Sequence, residues 1–173
     1  MRALLLLLIF SLIGCQKSKD ISIKTNLTNS NLEIAVLSTS KGEIHMKFLP
    51  NKAPRTVKRI KELIQDEFYT GIQFHRVIPS FVIQAGDPTG TGVGGSGKKL
   101  NAEFNDELHV KGTVAMARLG HDENSADSQF YIALSTLPHL DKNYTVFAKV
   151  TRGVEVLDKI KKGDKILSFK MLK

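Results

Sequence analysis

The residues of this chain that could do chemistry sort by what each reaction demands of its neighbours. Gly90 to Gly97 has the glycine content of a phosphate cradle, but such a cradle sits between a strand and a helix. Here Lys98-Lys99 and more loop follow, with no Gly-Lys-Ser or Gly-Lys-Thr. Ser96 lies in that same run and is not flanked as Gly-x-Ser-x-Gly, so a serine nucleophile on a strained elbow is not supported. The histidines, His45, His75, His109, His121 and His139, show neither i,i+4 pairing nor an adjoining acidic pattern, which argues against a metal centre. A single cysteine excludes a disulfide framework and any multi-thiolate zinc or iron–sulfur site, leaving packing to supply stability. The unusual stretch is Phe74-His75-Arg76-Val77-Ile78-Pro79-Ser80-Phe81-Val82-Ile83-Gln84, followed by Ala85-Gly86-Asp87-Pro88-Thr89-Gly90-Thr91-Gly92.

Together with Met116-Ala117-Arg118, Ser128-Gln129-Phe130-Tyr131-Ile132 and Leu137-Pro138-His139-Leu140-Asp141-Lys142-Asn143-Tyr144-Thr145-Val146-Phe147, this stretch closely resembles the cyclophilin-type peptidyl-prolyl cis-trans isomerases. The resemblance runs from roughly Leu32 to Met171 in the family's order and near its spacing. It implies a mainly β fold, an eight-stranded antiparallel β-barrel closed by two α-helices. It also implies isomerisation of X–Pro bonds in proline-containing polypeptides by a monomer that needs no cofactor or metal.

A physical case for the residues stands beside the resemblance. Rotating an X–Pro amide means crossing a barrier of about 18–20 kcal/mol that arises from nitrogen conjugation with the carbonyl. In the twisted transition state the prolyl nitrogen is pyramidal and more basic, so a fixed cation donating to it stabilises that state above the planar one. Arg76 is the candidate, being always charged and carrying several donors in a rigid fork. By motif match, Phe81, Val82, Tyr131 and Leu140 line an apolar socket for the proline ring, with Tyr144 at its edge. Gln84 anchors substrate backbone and orients Arg76, Ala117 and Arg118 contact the residues before proline, Gln129 supports that wall, and His75 shapes the site. Phe130 is expected in the core, because adjacent strand residues point to opposite faces.

Departures from the family pattern are local. Tyr131 stands where many members have Phe, and Arg118 where the eukaryotic branch commonly has Asn. His139 takes the place of a tryptophan associated with tight cyclosporin binding, which implies weaker contact with that macrocycle. Asp141-Lys142-Asn143 replaces an Asp-Gly-Lys turn, and because Asn tolerates positive φ better than Lys, the turn is expected to shift by one residue. The loop from Arg118 to Asp127 is longer than the eukaryotic pattern.

Short strands must position these residues. Glu33–Leu37 and Glu43–Phe48 read as a hairpin around Ser40-Lys41-Gly42, with Ile44, Met46 and Phe48 alternating inward. Asn51 is the expected cap of a helix with Pro54 in its first turn and Ala53, Val57, Ile60 and Ile64 on one face. Lys52, Arg55, Lys58, Arg59 and Lys61 take the other face, which reads as the solvated side of a helix covering a sheet. Further strands are expected at Gln73–Ile78, Phe81–Gln84, Thr113–Ala117, Gln129–Ala133, Thr145–Val150 and Ile166–Met171, with a helix at Val154–Ile160. This periodicity favours a barrel or a sandwich and does not choose between them.

The N-terminus reads as an address. Arg2, the apolar run Ala3–Ile13 and Gly14 form a secretory signal over residues 1–14, and the run is shorter than the roughly 20 residues a membrane-spanning helix needs. Leu12-Ile13-Gly14-Cys15 resembles the lipobox of bacterial lipoproteins, which implies lipidation at Cys15, a membrane anchor and a place in the bacterial cell envelope; which membrane stays open. Polar residues 15–31 read as a lipidated N-terminus and tether spanning about 20–25 Å as a flexible coil. Residues 32–173 then form the isomerase domain. The formal charge of +8 suits anionic lipid surfaces or acidic clients. It does not indicate nucleic-acid binding, because the lysines lack the interleaved aromatics of a base-stacking surface.

Overall fold

The computed structural model describes residues 33–172; the signal and tether expected over residues 1–31, Cys15 among them, and residue 32 lie outside the described residues. Strand β1 (Ile34–Thr39) turns through Gly42 into β2 (Gly42–Phe48), and the alternation predicted for this hairpin buries Ala35, Leu37, Ile44, Met46 and Phe48. Helix α1 (Pro54–Gln65) lays Val57, Ile60, Leu63 and Ile64 on the core. Its cap differs from expectation: Ala53 occupies the N-cap position and no side chain caps from there, whereas Asn51 lies two residues further out. The orphan donors of the first turn are satisfied from a distance instead. Glu103 accepts the backbone N–H of Arg55 at 3.0 Å and that of Thr56 at 2.8 Å, plus the Thr56 hydroxyl at 2.8 Å. Of the five cations expected on the outer side four are also answered, Lys52 by Asp106, Arg55 by Glu103, Arg59 by Glu62 and Lys61 by Glu33, while Lys58 is exposed with no carboxylate partner among the described residues.

The remaining strands are β3 (Arg76–Ile78), β4 (Val82–Ala85), β5 (Thr113–Met116), β6 (Phe130–Ala133), β7 (Val146–Arg152) and β8 (Ile166–Met171). A one-turn 3-10 helix, Pro138–Leu140, follows β6. Helix α2 (Val154–Leu157) stops short of the expected Ile160, though Val156, Leu157 and Ile160 are all buried as predicted. It begins at Gly153 with φ 79°, where a Cβ would lie 2.0 Å from the Glu43 carbonyl oxygen, so no other residue fits.

All neighbouring strands are antiparallel, in the order β3-β4-β6-β5-β7-β2-β1-β8. The expected closed barrel is not formed: the sheet is an open half-barrel whose two end strands, β3 and β8, do not pair. The physical reason is the length of β3. The stretch Gln73–His75, read from sequence as strand, lies outside it, and its contact with the far edge is a single bridge between Gln73 and Lys165 flanked by isolated backbone bonds, Phe74 N–H to Asp164 at 2.8 Å among them.

The central strands are covered on both faces. Val77, Ile83, Ile132, Val114 and Ala148 follow one another across β3, β4, β6, β5 and β7 and face the main core under α1 and α2. The other face carries a second apolar cluster of Val82, Ala115, Tyr131, Ala133, Leu137, Leu140 and Val146. This is why β5 and β6 are buried at every position instead of alternating with water.

Candidate active site

The outer cluster is where the sequence-predicted residues converge, and strand register explains how. Arg76 lies opposite Gln84, Gln84 opposite Tyr131, Tyr131 opposite Ala115 and Ala115 opposite Val146, one line across five strands. Because side chains alternate with a period of two, a slip of one residue anywhere in this line would turn its members into the main core. Phe130 shows the alternative, pointing inward to pack on Tyr69 with ring centroids 5.6 Å apart. Above the line lies a cavity of about 150 Å³. It is lined by Arg76, Phe81, Val82, Gln84, Ala117, Arg118, Tyr131, Leu140 and Tyr144. His75, Gln129 and His139 are not among its walls.

Those three stand around it. Gln129 is the far end of a side-chain chain: Arg76 Nη1 donates to Gln84 Oε1 at 3.2 Å, and Gln84 Nε2 donates to Gln129 Oε1 at 2.9 Å. Gln129 Nε2 then donates to the Gly92 and Gly94 carbonyls at 3.0 and 2.8 Å. His139 stacks on Phe81 with centroids 5.9 Å apart and planes 11° from parallel. His75 is buried beneath the glycine loop, 3.8 Å from where a Cβ of Gly92 would be, with neither ring nitrogen partnered by protein. Burial holds its pKa below the ordinary imidazole value, with the Asp87 charge opposing. It is neutral at pH 7 and does not reach the cavity.

The glycine loop is turn geometry organised by two carboxylates. Asp87, 1% exposed, accepts the N–H groups of Thr89, Gly92 and Gly94 at 2.7, 2.6 and 3.2 Å and the Thr89 hydroxyl at 2.7 Å. Burial alone would raise its pKa; the Thr89, Gly92 and Gly94 donors outweigh that and hold it far below the usual carboxylate range. Asp127 accepts the Ser96 and Gly97 N–H groups at 2.8 and 2.9 Å, and the Ser96 hydroxyl as well. A second cavity of about 200 Å³ opens between this loop and Ala117, with Lys99 and Asp127 on its rim.

The two arginines at the cavity are held differently. Arg118 donates to the Asn143, Leu119 and Gly120 carbonyls at 3.0, 2.9 and 3.1 Å and lies 4.8 Å above the Tyr144 ring. Its guanidinium is a structural tie. Arg76 is exposed, commits one donor to Gln84 and sits 5.4 Å from the Phe81 ring centre. The expected one-residue shift of the Asp141-Lys142-Asn143 turn does not occur, since Lys142 itself adopts φ 60°. Asn143 is needed in its place: its N–H donates to Leu140, its amide to the His139 carbonyl, and its own carbonyl accepts Arg118.

His109, which no spacing argument brings here, stands behind Tyr131. Its Nε2 is 2.9 Å from the Tyr131 hydroxyl and its Nδ1 2.9 Å from Asp141 Oδ1, and its backbone N–H donates to the same Oδ1 at 2.7 Å. It is 32 residues from Asp141 and 22 from Tyr131 along the chain, so only the folded register could reveal the contact. Among the described residues no cluster of three or more His, Cys, Asp or Glu is arranged to hold a metal ion.

Comparison with known proteins bears directly on this arrangement. A peptidyl-prolyl cis-trans isomerase of Synechococcus elongatus is 44% identical over 140 residues, covering 80% of this chain and 95% of that protein. One of Helicobacter pylori is 44% identical over 138 residues, covering 78% and 83%. In three dimensions, the chain is similar to a cyclophilin type peptidyl-prolyl cis-trans isomerase of Cryptosporidium parvum, crystallised in the presence of the dipeptide Ala-Pro. The TM-score is 0.77 at 27% identity, over 82% of this chain and 99% of that one. Residues 34–171, the span that carries both faces of the sheet and every wall of the cavity, match the family described as cyclophilin type peptidyl-prolyl cis-trans isomerase/CLD. With sequence, topology and cavity in agreement, the chain belongs to the cyclophilin-type peptidyl-prolyl cis-trans isomerases.

Proposed function

We propose that this isomerase takes an X–Pro bond across the outer face of β3, β4, β6 and β5 and rotates it without covalent chemistry, with Arg76 as the catalytic cation. The observation that carries this reading is the Arg76 fork, steadied by Gln84, on a cavity that it shares with Phe81, Val82, Tyr131 and Leu140. Phe81, Val82, Tyr131 and Leu140, with Tyr144 at the edge, receive the proline ring. Gln84 holds one side of the rotating bond, and Ala117 and the Arg118 segment meet the residues before proline. Gln129 and His75 support the wall, and His139 flanks Phe81. Donation from Arg76 to the pyramidal prolyl nitrogen strengthens only as the amide twists, which is the condition for raising turnover and not merely affinity. The Ala-Pro dipeptide present with the Cryptosporidium relative is consistent with this substrate class.

The test is cis-to-trans relaxation of a short X–Pro peptide at low temperature, where the uncatalysed step takes tens of seconds or longer. Arg76→Ala in the full chain is expected to lose turnover on the order of 10²-fold while keeping its fold and some peptide affinity. Unchanged turnover in a folded variant overturns the assignment, and peptide binding by a wild type that accelerates nothing would point to a binding module.

The sequence-based address completes the proposal: a monomer anchored by lipid at Cys15 in the bacterial cell envelope, acting on exported polypeptides. Cys15→Ser is expected to move the protein from the membrane fraction to the soluble one. A Cys15→Ser protein that stays membrane-bound and fully processed contradicts the anchor.

A further inference from the structure

Asp141, His109 and Tyr131 form a hydrogen-bonded line, half-buried at Asp141 and buried at His109 and Tyr131, whose last member is a wall of the cavity, and neither the family's name nor the motifs assign His109 any part in it. The directions of its bonds follow from chemistry. An ionised carboxylate only accepts, and Asp141 is held below its usual range by the His109 backbone N–H first and the imidazole second, so Nδ1 carries the ring proton. The His109 side chain has no exposed surface, and burial outweighs the pull of Asp141 to keep the ring neutral. A neutral imidazole protonated at Nδ1 has a bare lone pair at Nε2, so Tyr131 must donate its hydroxyl hydrogen there.

The line also joins separate pieces of the cavity wall. Tyr131 is on β6, while Asp141 ends the 3-10 turn that carries Leu140, and the His109 carbonyl accepts the Leu137 N–H at 2.8 Å just before that turn. The His109 ring lies nearly parallel to Tyr131, with centroids 5.9 Å apart and planes 19° apart, and Tyr144 meets the edge of both. A tyrosine in place of phenylalanine therefore adds no loose polar group to the socket, because its hydroxyl is drawn backward and its ring is fixed.

We propose that His109, anchored by Asp141, is a positioning residue of the isomerase: it locks the Tyr131 ring and the Leu140 turn into one rigid proline socket. This rests on the cavity being the proline site. A socket contacts the ring equally in the ground and transition states, so loosening it weakens substrate binding and leaves turnover per bound substrate nearly intact.

The experiment is a double-substitution cycle in the full chain, reading KM and kcat for an X–Pro peptide with His109→Ala, Tyr131→Phe and the pair. His109→Ala alone is expected to raise KM about 5- to 30-fold with kcat within about 2-fold, because it leaves the Tyr131 hydroxyl buried without an acceptor. In the Tyr131→Phe background, where no hydroxyl is left stranded, the same substitution is expected to cost markedly less. Equal KM changes in both backgrounds, or an unchanged KM in folded His109→Ala, overturn the proposal. Nitrogen-15 NMR of the folded wild type at pH 7.5 tests it without any variant: Nδ1–H on His109 is expected, and Nε2–H overturns it. Arg76→Ala is carried alongside. If it retains turnover the proline-site reading fails, whereas loss of turnover with no His109–Tyr131 coupling defeats the positioning role alone.

Discussion

Gln129 is a single amide that makes three bonds in opposite senses, accepting from Gln84 and donating to Gly92 and Gly94. Among neutral side chains only an amide offers an acceptor and two donor hydrogens at once on separate atoms, so the residue type follows from its position between a donor side chain and two carbonyls. Gln129→Leu keeps the volume and removes the chain that steadies Arg76 through Gln84. It is expected to lower kcat/KM roughly 5- to 30-fold, the factor that 1–2 kcal/mol represents, with the urea midpoint changed far less. A variant with unaltered kinetics would show that Arg76 needs no such support. Gly86 is a harder constraint. With φ 95° and a Cβ that would fall 2.3 Å from the Ser128 carbonyl oxygen, Gly86→Ala is expected to cost more than about 3 kcal/mol in urea unfolding, or to prevent folding.

Helix α1 shows how far local signals reach. Its apolar stripe and Pro54 are readable in one turn of sequence, and the buried face is the one they indicate. Its cap is not, because Glu103 comes from 47 residues away and is bonded to Thr56 only after the chain has wrapped back. Glu103→Gln replaces one acceptor with a donor aimed at N–H groups, and a loss of about 1–2 kcal/mol is expected by urea unfolding at pH 7. Burial pushes the Glu103 carboxyl up, but the Thr56 and Arg55 donors outweigh it and hold the group below its usual range. Its stabilisation is thus present above the ordinary carboxylate pKa and is lost as pH falls through the lowered one, so wild type and variant should converge in acid. The same division holds at the site. Arg76, Phe81, Gln84, Ala117, Tyr131 and Leu140 sit in contiguous motifs, and all line one cavity. His109 and Glu103 act across long chain separations that no spacing rule encodes. Closure of the barrel was illegible for a related reason, since Gln73–His75 has strand composition and only the assembled sheet shows that it is left out of β3.

At the scale of the whole molecule, the buried histidines and the carboxylates held by donors pull stability in one direction. His75 and His109 are held below the imidazole value of 6.5 chiefly by burial, and Asp87, Glu103 and Asp141 are held below the carboxylate range by donors. In each case the unfolded chain binds more protons than the folded one over the window between the two pKa values, so stability rises with pH there. The melting temperature is expected to climb from pH 4 to about pH 7 and then level off; a calorimetric maximum below pH 5 would contradict the burial of both histidines. The two-faced sheet has a wider consequence. With the proline site where we propose it, on the outer face of the sheet and away from the main core, a bound polypeptide is expected to run off into solvent in both directions without threading through the protein. An internal proline in a chain of any length, or in a loop of an already folded partner, is as reachable as one in a short peptide.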